Sequence, residues 1–226
     1  MSTIKNGSLY LVLSEEYGDG KKALDVAGPA VAGGIDILQM REKYRSREEL
    51  LRLGADLAAL CRRNGVIFIV NDDPVLAGDV GADGVHLGQE DLIRFSVPAA
   101  RALLGPGKIV GISTHSLRQV EEARALDPDY IAYGPIFPTE TKDYCIGVGD
   151  VRKVLRIASR PVVFIGGINR SNLDVLLAEG ARNIALIRDI MRAEDIAARA
   201  AWYKERLKIP NHEFQIPGGK QRTREN

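Results

Sequence analysis

Cysteine is scarce in this chain, which holds only Cys61 and Cys145 among its 226 residues. Two cysteines are too few for the disulfide framework of a small secreted domain, so we expect two free thiols in a reducing compartment. Long hydrophobic runs are also missing, because the longest apolar stretches, such as residues 66–70, are far shorter than a membrane span. The N-terminus lacks the apolar segment of a signal peptide. Together these absences predict a cytoplasmic protein.

An excess of charge of one sign is equally absent, since 31 lysines and arginines face 30 aspartates and glutamates. The resulting net charge of +1 argues against a dedicated nucleic-acid-binding protein, which usually carries a strongly basic face. Hydrophobic residues make up 45% of the chain, which is enough for a sizeable core and excludes disorder as the dominant state.

Short apolar runs alternate with amphipathic stretches along most of the chain. Alternation of strands and helices indicates parallel strands joined by right-handed crossovers. Eight units of this kind favour a closed (β/α)8 TIM barrel, whereas a doubly wound open sheet more typically has five to seven strands. We predict one barrel domain over residues 1–208 and a flexible polar tail over residues 209–226. The predicted strands are Leu9–Leu13, Ile35–Met40, Val66–Val70, Gly84–Leu87, Lys108–Ile112, Tyr130–Tyr133, Val162–Ile165 and Asn183–Ile187.

A weak internal repeat also favours the barrel. A short polar residue recurs at or near the start of every second predicted strand, at intervals of roughly 50 residues. Four repeats of two strands and two helices would close an eightfold barrel, although chance similarity among strand entries is the competing interpretation. The repeated positions are Asp36, Asp83, Asp129 and Asn183.

Several helix starts are marked by capping residues. Ser46 with Glu49 three residues later predicts a capping box, and Ser171 or Asn172 predicts the start of a later helix. Asp73 precedes a proline and is expected to cap the next helix, which leaves the neighbouring Asp72 free for another role.

Polar side chains follow nearly every predicted strand, at the end of the barrel where active sites lie. Arg41, Lys43 and Lys142 would bring three cations to one mouth, which suits a polyanion such as a diphosphate. Asp72 and Asp91 offer hard oxygen ligands, and carboxylates beside cations make sense if Mg²⁺ bridges them to phosphates.

Simpler interpretations stand beside these. Arg41 and Lys43 flank Glu42 and would form ion pairs with it, and Asp91 would equally well cap a helix. The pair Gly166–Gly167 would let backbone N–H groups approach a phosphate, or would form only a tight turn. For three further residues, His86, His115 and Cys145, we favour packed or surface histidines and an inert thiol.

Taken together and in order, these segments resemble the thiamine phosphate synthase family, also called thiamine-phosphate pyrophosphorylase. The resemblance covers about residues 8–207 and implies a TIM barrel of the phosphate-binding type. The segments that carry it are Gln39-x-Arg41-x-Lys43, Asn71-Asp72-Asp73, His86-Leu87-Gly88-Gln89-Glu90-Asp91, Gly111-Ile112-Ser113, Gly134-Pro135-Ile136-Phe137-Pro138-Thr139-x-Thr141-Lys142 and Ile165-Gly166-Gly167-Ile168.

The resemblance implies a transferase of thiamine biosynthesis that joins hydroxymethylpyrimidine diphosphate to thiazole phosphate and releases pyrophosphate. It assigns one Mg²⁺ per subunit to Asp72 and Asp91. The implied catalytic residues are Arg41, Lys43, Lys142 and Ser113. The implied pyrimidine diphosphate ligands are Gln39, Arg41, Lys43, Asn71, Ser113 and Lys142. The implied thiazole phosphate ligands are Thr139, Thr141, Gly166, Gly167, Ile187 and Arg188.

The residues agree with a dissociative mechanism, in which the aminopyrimidine delocalises the positive charge left on its methylene carbon. Mg²⁺ and the three cations would neutralise the departing pyrophosphate. The thiazole nitrogen would then capture the cation, so no protein nucleophile is required.

Two positions depart from the family pattern. Ile187-Arg188 stands where the family usually has Ile-Ser, and Ser14-Glu15 stands where it usually has Thr-Asp. Arg188 would add a cation to the thiazole phosphate site, or it would fill the pocket or pair with Asp189 and so weaken phosphate binding there.

Two other functions are compatible with the residues. A related thiazole tautomerase shares the barrel but needs no carboxylate pair for a metal, so Asn71-Asp72 with Gln89-Glu90-Asp91 argues against it. His115 would be its acid or base. A sensor would bind the same ligands without turnover. We expect small phosphorylated molecules as partners, and neither nucleic acid nor membrane. The sequence leaves open a homo-oligomer, a carboxylated thiazole substrate and the role of the tail.

Overall fold

Eight parallel strands close into one barrel in sequence order in the computed structural model, which describes residues 4–140 and 142–208. Each strand pairs in parallel with the next, and β1 pairs with β8 to complete the ring. The predicted TIM barrel is therefore confirmed. The predicted tail, residues 209–226, lies outside the described residues. The strands are β1 (Leu9–Leu13), β2 (Ile37–Met40), β3 (Ile67–Asn71), β4 (Gly84–Leu87), β5 (Ile109–Thr114), β6 (Tyr130–Tyr133), β7 (Val162–Ile165) and β8 (Asn183–Leu186).

Helices cover the outside of the barrel and supply the second face against which each strand is buried. A short 3₁₀ helix, Glu15–Tyr17, follows β1. Across the described ranges, no helix combines the length and apolar character needed to cross a lipid bilayer. The helices are α1 (Ala23–Ala32), α2 (Arg47–Asn64), α3 (Pro74–Asp79), α4 (Asp91–Arg94), α5 (Val97–Leu104), α6 (Leu117–Leu126), α7 (Val151–Ile157), α8 (Leu173–Ala178), α9 (Arg188–Met191) and α10 (Ile196–Lys208).

The internal repeat has a structural meaning at the amino ends of the strands. Each repeated side chain accepts a hydrogen bond from a main-chain N–H group in or next to a neighbouring strand, so it ties two strands together where they enter the barrel. We call these four side chains the entry clamps. The bonds run from Leu9 N to Asp36 (2.7 Å), Phe68 N to Asp83 (2.8 Å), Val110 N to Asp129 (2.7 Å) and Ser8 N to Asn183 (3.0 Å).

The predicted caps are largely present. Ser46 and Glu49 form the reciprocal capping box at the start of α2. Asp73 caps α3, since its Oδ1 accepts a hydrogen bond from the N–H of Leu76 at 2.8 Å. Asn172 occupies the capping position of α8 but makes no capping bond with its side chain.

The barrel interior is filled by side chains that alternate with those facing the helices. Most are apolar, but two tyrosines, Tyr10 and Tyr130, lie in the middle of this interior with 2% and 0% of their surface exposed. Gly111 on β5 makes room for one of them, because a Cβ atom at this position would overlap the Tyr130 ring. The interior set is Tyr10, Val12, Ile37, Ile69, Ile109, Tyr130, Val163 and Ala185.

We predict that Gly111→Ala lowers the free energy of unfolding by about 1–3 kcal/mol, because the added Cβ atom would overlap the ring of the fully buried Tyr130. Denaturant unfolding followed by circular dichroism measures the loss. Gly149→Ala is the matched control, since nothing lies within 4 Å of a Cβ atom there. Equal stability of the two variants would show that the ring relocates at little cost.

Candidate active site

A cavity of about 1000 Å³ opens at the carboxyl ends of the strands. Asp72 and Asp91 do not line it directly, and Thr141 lies outside the described residues. The sequence-predicted residues that the structure brings together in its lining are Gln39, Arg41, Lys43, Asn71, Ser113, Thr139, Lys142, Gly166, Gly167, Ile187 and Arg188.

Arg41 is a cation in the cavity wall with only a long ion pair to the protein. Its Nη1 atom is buried and finds no hydrogen-bond acceptor among the described residues. The nearest carboxylate is that of Glu16, at 3.9 Å. The expected pair with Glu42 is not formed, because that carboxylate accepts a hydrogen bond from the N–H of Glu15 at 2.8 Å. A buried guanidinium donor left unsatisfied in this way favours an anionic ligand.

Asp72 follows β3 in a left-handed conformation with φ = 67°, which only short polar residues and glycine adopt readily. Burial is the main cause that raises the pKa of Asp72 to about 7, and the adjacent Asp91 carboxylate adds to the effect. Arg41 and Lys43 act in the opposite direction and lower this pKa. The two carboxylates therefore share one partly buried location beside the cations.

Asp91 does not cap α4, so that interpretation of the sequence is wrong. It is the first residue of the helix, and Glu90 holds the capping position. Its Oδ2 atom turns back to accept a hydrogen bond from the N–H of Gly88 at 2.9 Å, which fixes the carboxylate beside Asp72.

The carboxylate pair fits a magnesium ion that is completed by substrate. Like charges held together raise a pKa, and a divalent cation between them would remove that cost. Within residues 4–140 and 142–208, no group of three or more Asp, Glu, His or Cys side chains forms a ready-made metal site. Mg²⁺ commonly binds through one or two carboxylates together with water and substrate phosphates, so two carboxylates suffice.

The turn after β7 requires both of its glycines. Gly166 and Gly167 have φ values of 102° and 64°. A Cβ atom on the first would overlap Pro135, and one on the second would overlap the carbonyl groups of Phe137 and Pro138. The turn is thus packed against the loop after β6, which carries Thr139 and Lys142.

Arg188 lies at the same end of the cavity and joins three loops. Its Nε is 3.3 Å from Glu140 Oε2, its Nη1 donates to Thr139 Oγ1 at 3.4 Å, and its guanidinium carbon is 4.4 Å from the Tyr17 ring centre. It forms no ion pair with Asp189. That carboxylate instead binds Arg199 at 2.7 Å and the Tyr203 hydroxyl at 2.6 Å, so pairing with Asp189 is wrong for Arg188.

Comparison with known proteins decides the family. The family model described as thiamine monophosphate synthase matches residues 9–190. The thiamine-phosphate synthase of Persephonella marina is 38% identical over 203 residues, which cover 89% of this chain and 94% of that protein. The chain belongs to the thiamine monophosphate synthase family.

Further relatives agree with this assignment. The thiamine-phosphate synthase of Shouchella clausii is 40% identical, over 84% of this chain and 91% of its own length. The solved structure of a thiamine phosphate pyrophosphorylase from Pyrococcus furiosus superposes with a TM-score of 0.79 at 32% identity, over 89% of this chain and 97% of that one. This family member is accordingly an enzyme, a transferase of thiamine biosynthesis.

A chain of polar side chains that the sequence did not predict lies inside the barrel of this family member. Gln39 Nε2 donates to the Tyr10 hydroxyl at 2.7 Å, which lies 2.9 Å from the Tyr130 hydroxyl. That hydroxyl is 2.9 Å from His86 Nδ1, and His86 Nε2 is 3.0 Å from Ser113 Oγ. We call these five side chains the interior chain. A tyrosine inside an otherwise apolar strand is the signal that points to such a network.

His86 and His115, the two histidines among residues 4–140 and 142–208, differ in their surroundings. His86 is packed inside the barrel as expected, and burial lowers its pKa to about 4. His115 lines the cavity, and its Nδ1 lies 2.6 Å from the carbonyl oxygen of Gly134.

We predict that Asp72→Asn stabilises the metal-free protein at pH 8. A raised pKa in the folded state means that wild-type stability falls as pH rises from about 4, where the unfolded carboxyl ionises, to about 7. The asparagine variant does not lose stability over this pH range, because its side chain does not ionise. Asparagine also tolerates the positive φ at this position. It should therefore be more stable at pH 8, by on the order of 1–2 kcal/mol after allowing for solvent screening, and equally stable near pH 4.

Denaturant unfolding at several pH values tests this, with Asp56→Asn on the exposed face of α2 as control. Adding Mg²⁺ should raise the stability of the wild type more than that of Asp72→Asn. A pH profile that is the same in the wild type and in Asp72→Asn would contradict the electrostatic assignment.

Proposed function

We propose that this enzyme joins 4-amino-2-methyl-5-hydroxymethylpyrimidine diphosphate to 4-methyl-5-(2-hydroxyethyl)thiazole phosphate, or to its carboxylated form, and yields thiamine phosphate and pyrophosphate. The observation that carries the proposal is the meeting of three cations, Arg41, Lys43 and Lys142, in one cavity beside the carboxylates of Asp72 and Asp91. A diphosphate with Mg²⁺ satisfies both charge sets at once.

The pyrimidine diphosphate would occupy the part of the cavity between β2 and β5. Arg41 supplies a planar donor group whose buried Nη1 atom an anionic oxygen would satisfy. Lys43 and Lys142 add ammonium groups at the exposed rim. Asn71, Gln39 and Ser113 provide neutral donors and acceptors for orientation.

Asp72 and Asp91 would hold one Mg²⁺ per subunit, and the substrate phosphates would complete its coordination. When bound, the ion supplies positive charge that stabilises the departing pyrophosphate. Arg41, Lys43 and Lys142 neutralise further negative charge on the same oxygens, and each contact of this kind is worth roughly 10²–10³ in rate.

The bond between the methylene carbon and the diphosphate oxygen breaks first, and its electron pair leaves with pyrophosphate. The aminopyrimidine ring spreads the remaining positive charge, and the thiazole nitrogen then donates its lone pair to form the new C–N bond. The thiazole phosphate would bind at the Gly166–Gly167 turn with Thr139, Thr141, Ile187 and Arg188. Arg188 adds a cation at this end of the cavity, near Glu140.

Three broader expectations accompany this assignment. We propose a cytoplasmic enzyme with a single barrel domain over residues 1–208 and a polar tail over residues 209–226. We propose small phosphorylated substrates as its partners, with a homo-oligomer left open by the single chain.

We predict that the pure protein forms thiamine phosphate and pyrophosphate in equal amounts when it is given both substrates and Mg²⁺. Asp72→Ala and removal of the metal should each lower turnover by at least about 10²-fold, because charge on the leaving group is then left uncompensated. Asp56→Ala on α2 is the matched control. Tight binding of the diphosphate without product would instead identify a sensor and overturn the proposal.

We predict that Arg188→Ser raises the KM for thiazole phosphate by about 10-fold or more, which corresponds to loss of one charge-assisted hydrogen bond. Glu140→Gln should lower this KM, because the Glu140 carboxylate competes with phosphate for Arg188. The KM for pyrimidine diphosphate should not change in either variant. Steady-state kinetics with one substrate varied at a time measures both effects.

Arg192→Ser is the matched control for this pair, since Arg192 lines the same cavity but is paired with Asp19 at 3.1 Å. An unchanged KM for thiazole phosphate in Arg188→Ser would show that the guanidinium plays no part in phosphate binding.

A further inference from the structure

The interior chain crosses the barrel from one wall of the substrate cavity to the other. Gln39 and Ser113 line the cavity at its two ends, and Tyr10, Tyr130 and His86 connect them through the core. The connecting side chains are almost fully buried, with 2%, 0% and 7% of their surface exposed. Buried hydroxyl groups lose their hydration, so such a network is retained only when every member is satisfied.

The hydrogen bonds of the interior chain all run in one direction. The amide nitrogen of Gln39 can only donate, so the Tyr10 oxygen accepts at that end. The Tyr10 hydroxyl hydrogen then has a single acceptor among the described residues, the Tyr130 oxygen. The Tyr130 hydrogen in turn has only His86 Nδ1.

His86 passes this direction on through its two ring nitrogens. An imidazolium carries N–H groups on both nitrogens and could not accept from Tyr130, so the geometry requires the neutral ring. A neutral imidazole carries one hydrogen. Since Nδ1 accepts from Tyr130, the hydrogen must lie on Nε2, which donates to Ser113 Oγ at 3.0 Å.

We propose that Tyr10, Tyr130 and His86 are positioning residues that turn the Ser113 hydroxyl into a fixed hydrogen-bond donor toward the substrate cavity. Ser113 Oγ accepts from His86, so its own hydrogen is directed to the cavity that Ser113 lines. The proposal rests on the proposed function for its ligand, an acceptor atom of the bound pyrimidine diphosphate.

At the other end of the interior chain, Gln39 donates a hydrogen bond into the chain, whereas Ser113 accepts one from it. One N–H of Gln39 is committed to Tyr10, and this orients the rest of the amide. The interior chain thereby holds both cavity-lining groups in one donor and acceptor pattern before substrate arrives, which is the preorganisation that catalysis and specificity require.

The tautomer of His86 tests the direction without any substrate. Two-bond ¹⁵N–¹H correlation spectra distinguish the Nε2–H form from the Nδ1–H form and from the imidazolium. The chain has three histidines, so His115→Gln and His212→Gln assign the remaining signal. We expect the Nε2–H form from pH 5.5 to pH 8. An Nδ1–H form or an imidazolium at pH 6 would overturn the proposal.

Kinetics tests the effect on Ser113. Tyr130→Phe removes one hydroxyl and breaks the interior chain on both sides of it, and we expect kcat to fall by about 3–10-fold, the value of one oriented hydrogen bond. The control is Tyr133→Phe on the same strand, because the buried Tyr133 hydroxyl has no hydrogen-bond partner among the described residues. Tyr133→Phe should leave both kcat and the His86 spectrum unchanged.

A double-mutant cycle distinguishes a role of Tyr130 in positioning Ser113 from a role in stabilising the fold alone. If Tyr130 acts through Ser113, Tyr130→Phe should change kcat less than 2-fold in a Ser113→Ala background. Losses that multiply in full would overturn the proposal. Should Tyr130→Phe fail to fold, Tyr10→Phe breaks the interior chain one link earlier and should give a loss in the same direction. The NMR result is independent of turnover, so failure of the proposed reaction remains distinguishable from failure of this inference.

Discussion

Closure of the sheet between β1 and β8 is the constraint on which the other features depend. Once the ring is complete, all eight carboxyl ends lie on one rim, and side chains that are distant in sequence face a common cavity. The same closure creates an enclosed interior from which water is largely excluded. Polar groups placed there must find partners within the protein, and charges placed near it have shifted pKa values.

Electrostatics at the rim follow from this geometry. Asp72 follows β3 and Asp91 begins the helix after β4, and because these strands are adjacent the two carboxylates are held close together. Arg41 comes from the loop after β2 and faces the same region with an unsatisfied donor. The site therefore keeps like charges together and leaves Arg41 with an unsatisfied donor and a long ion pair to Glu16. This arrangement favours a ligand that carries both a divalent cation and phosphates.

Much of the fold was predictable because buried parallel strands consist of nearly uninterrupted apolar residues. Four predicted strands have the observed bounds. The strand β2 begins at Ile37 instead of Ile35, because Asp36 is an entry clamp whose side chain accepts a hydrogen bond from the N–H of Leu9. The positions of the cavity residues were also predictable, since topology places the end of every strand at the rim.

The contacts among those residues were not predictable. The interior chain depends on which face of a strand each side chain takes and on the room that Gly111 leaves for Tyr130. Arg188 follows β8 and contacts Tyr17 after β1 and Glu140 after β6. These segments are far apart in sequence and meet only in the folded barrel.

The entry clamps differ greatly in how far along the chain they reach. Three of them join positions separated by 27, 15 and 19 residues, whereas the bond between Ser8 and Asn183 spans 175. A chain growing on the ribosome can therefore form the three local clamps as each segment emerges. The fourth must wait until β8 has been synthesised, and until then the edge of β1 is exposed. During that interval the unpaired edge of β1 is a site at which nascent chains can pair with one another and misassemble. Rapid synthesis of the remaining strands, or binding of a chaperone, would limit this misassembly.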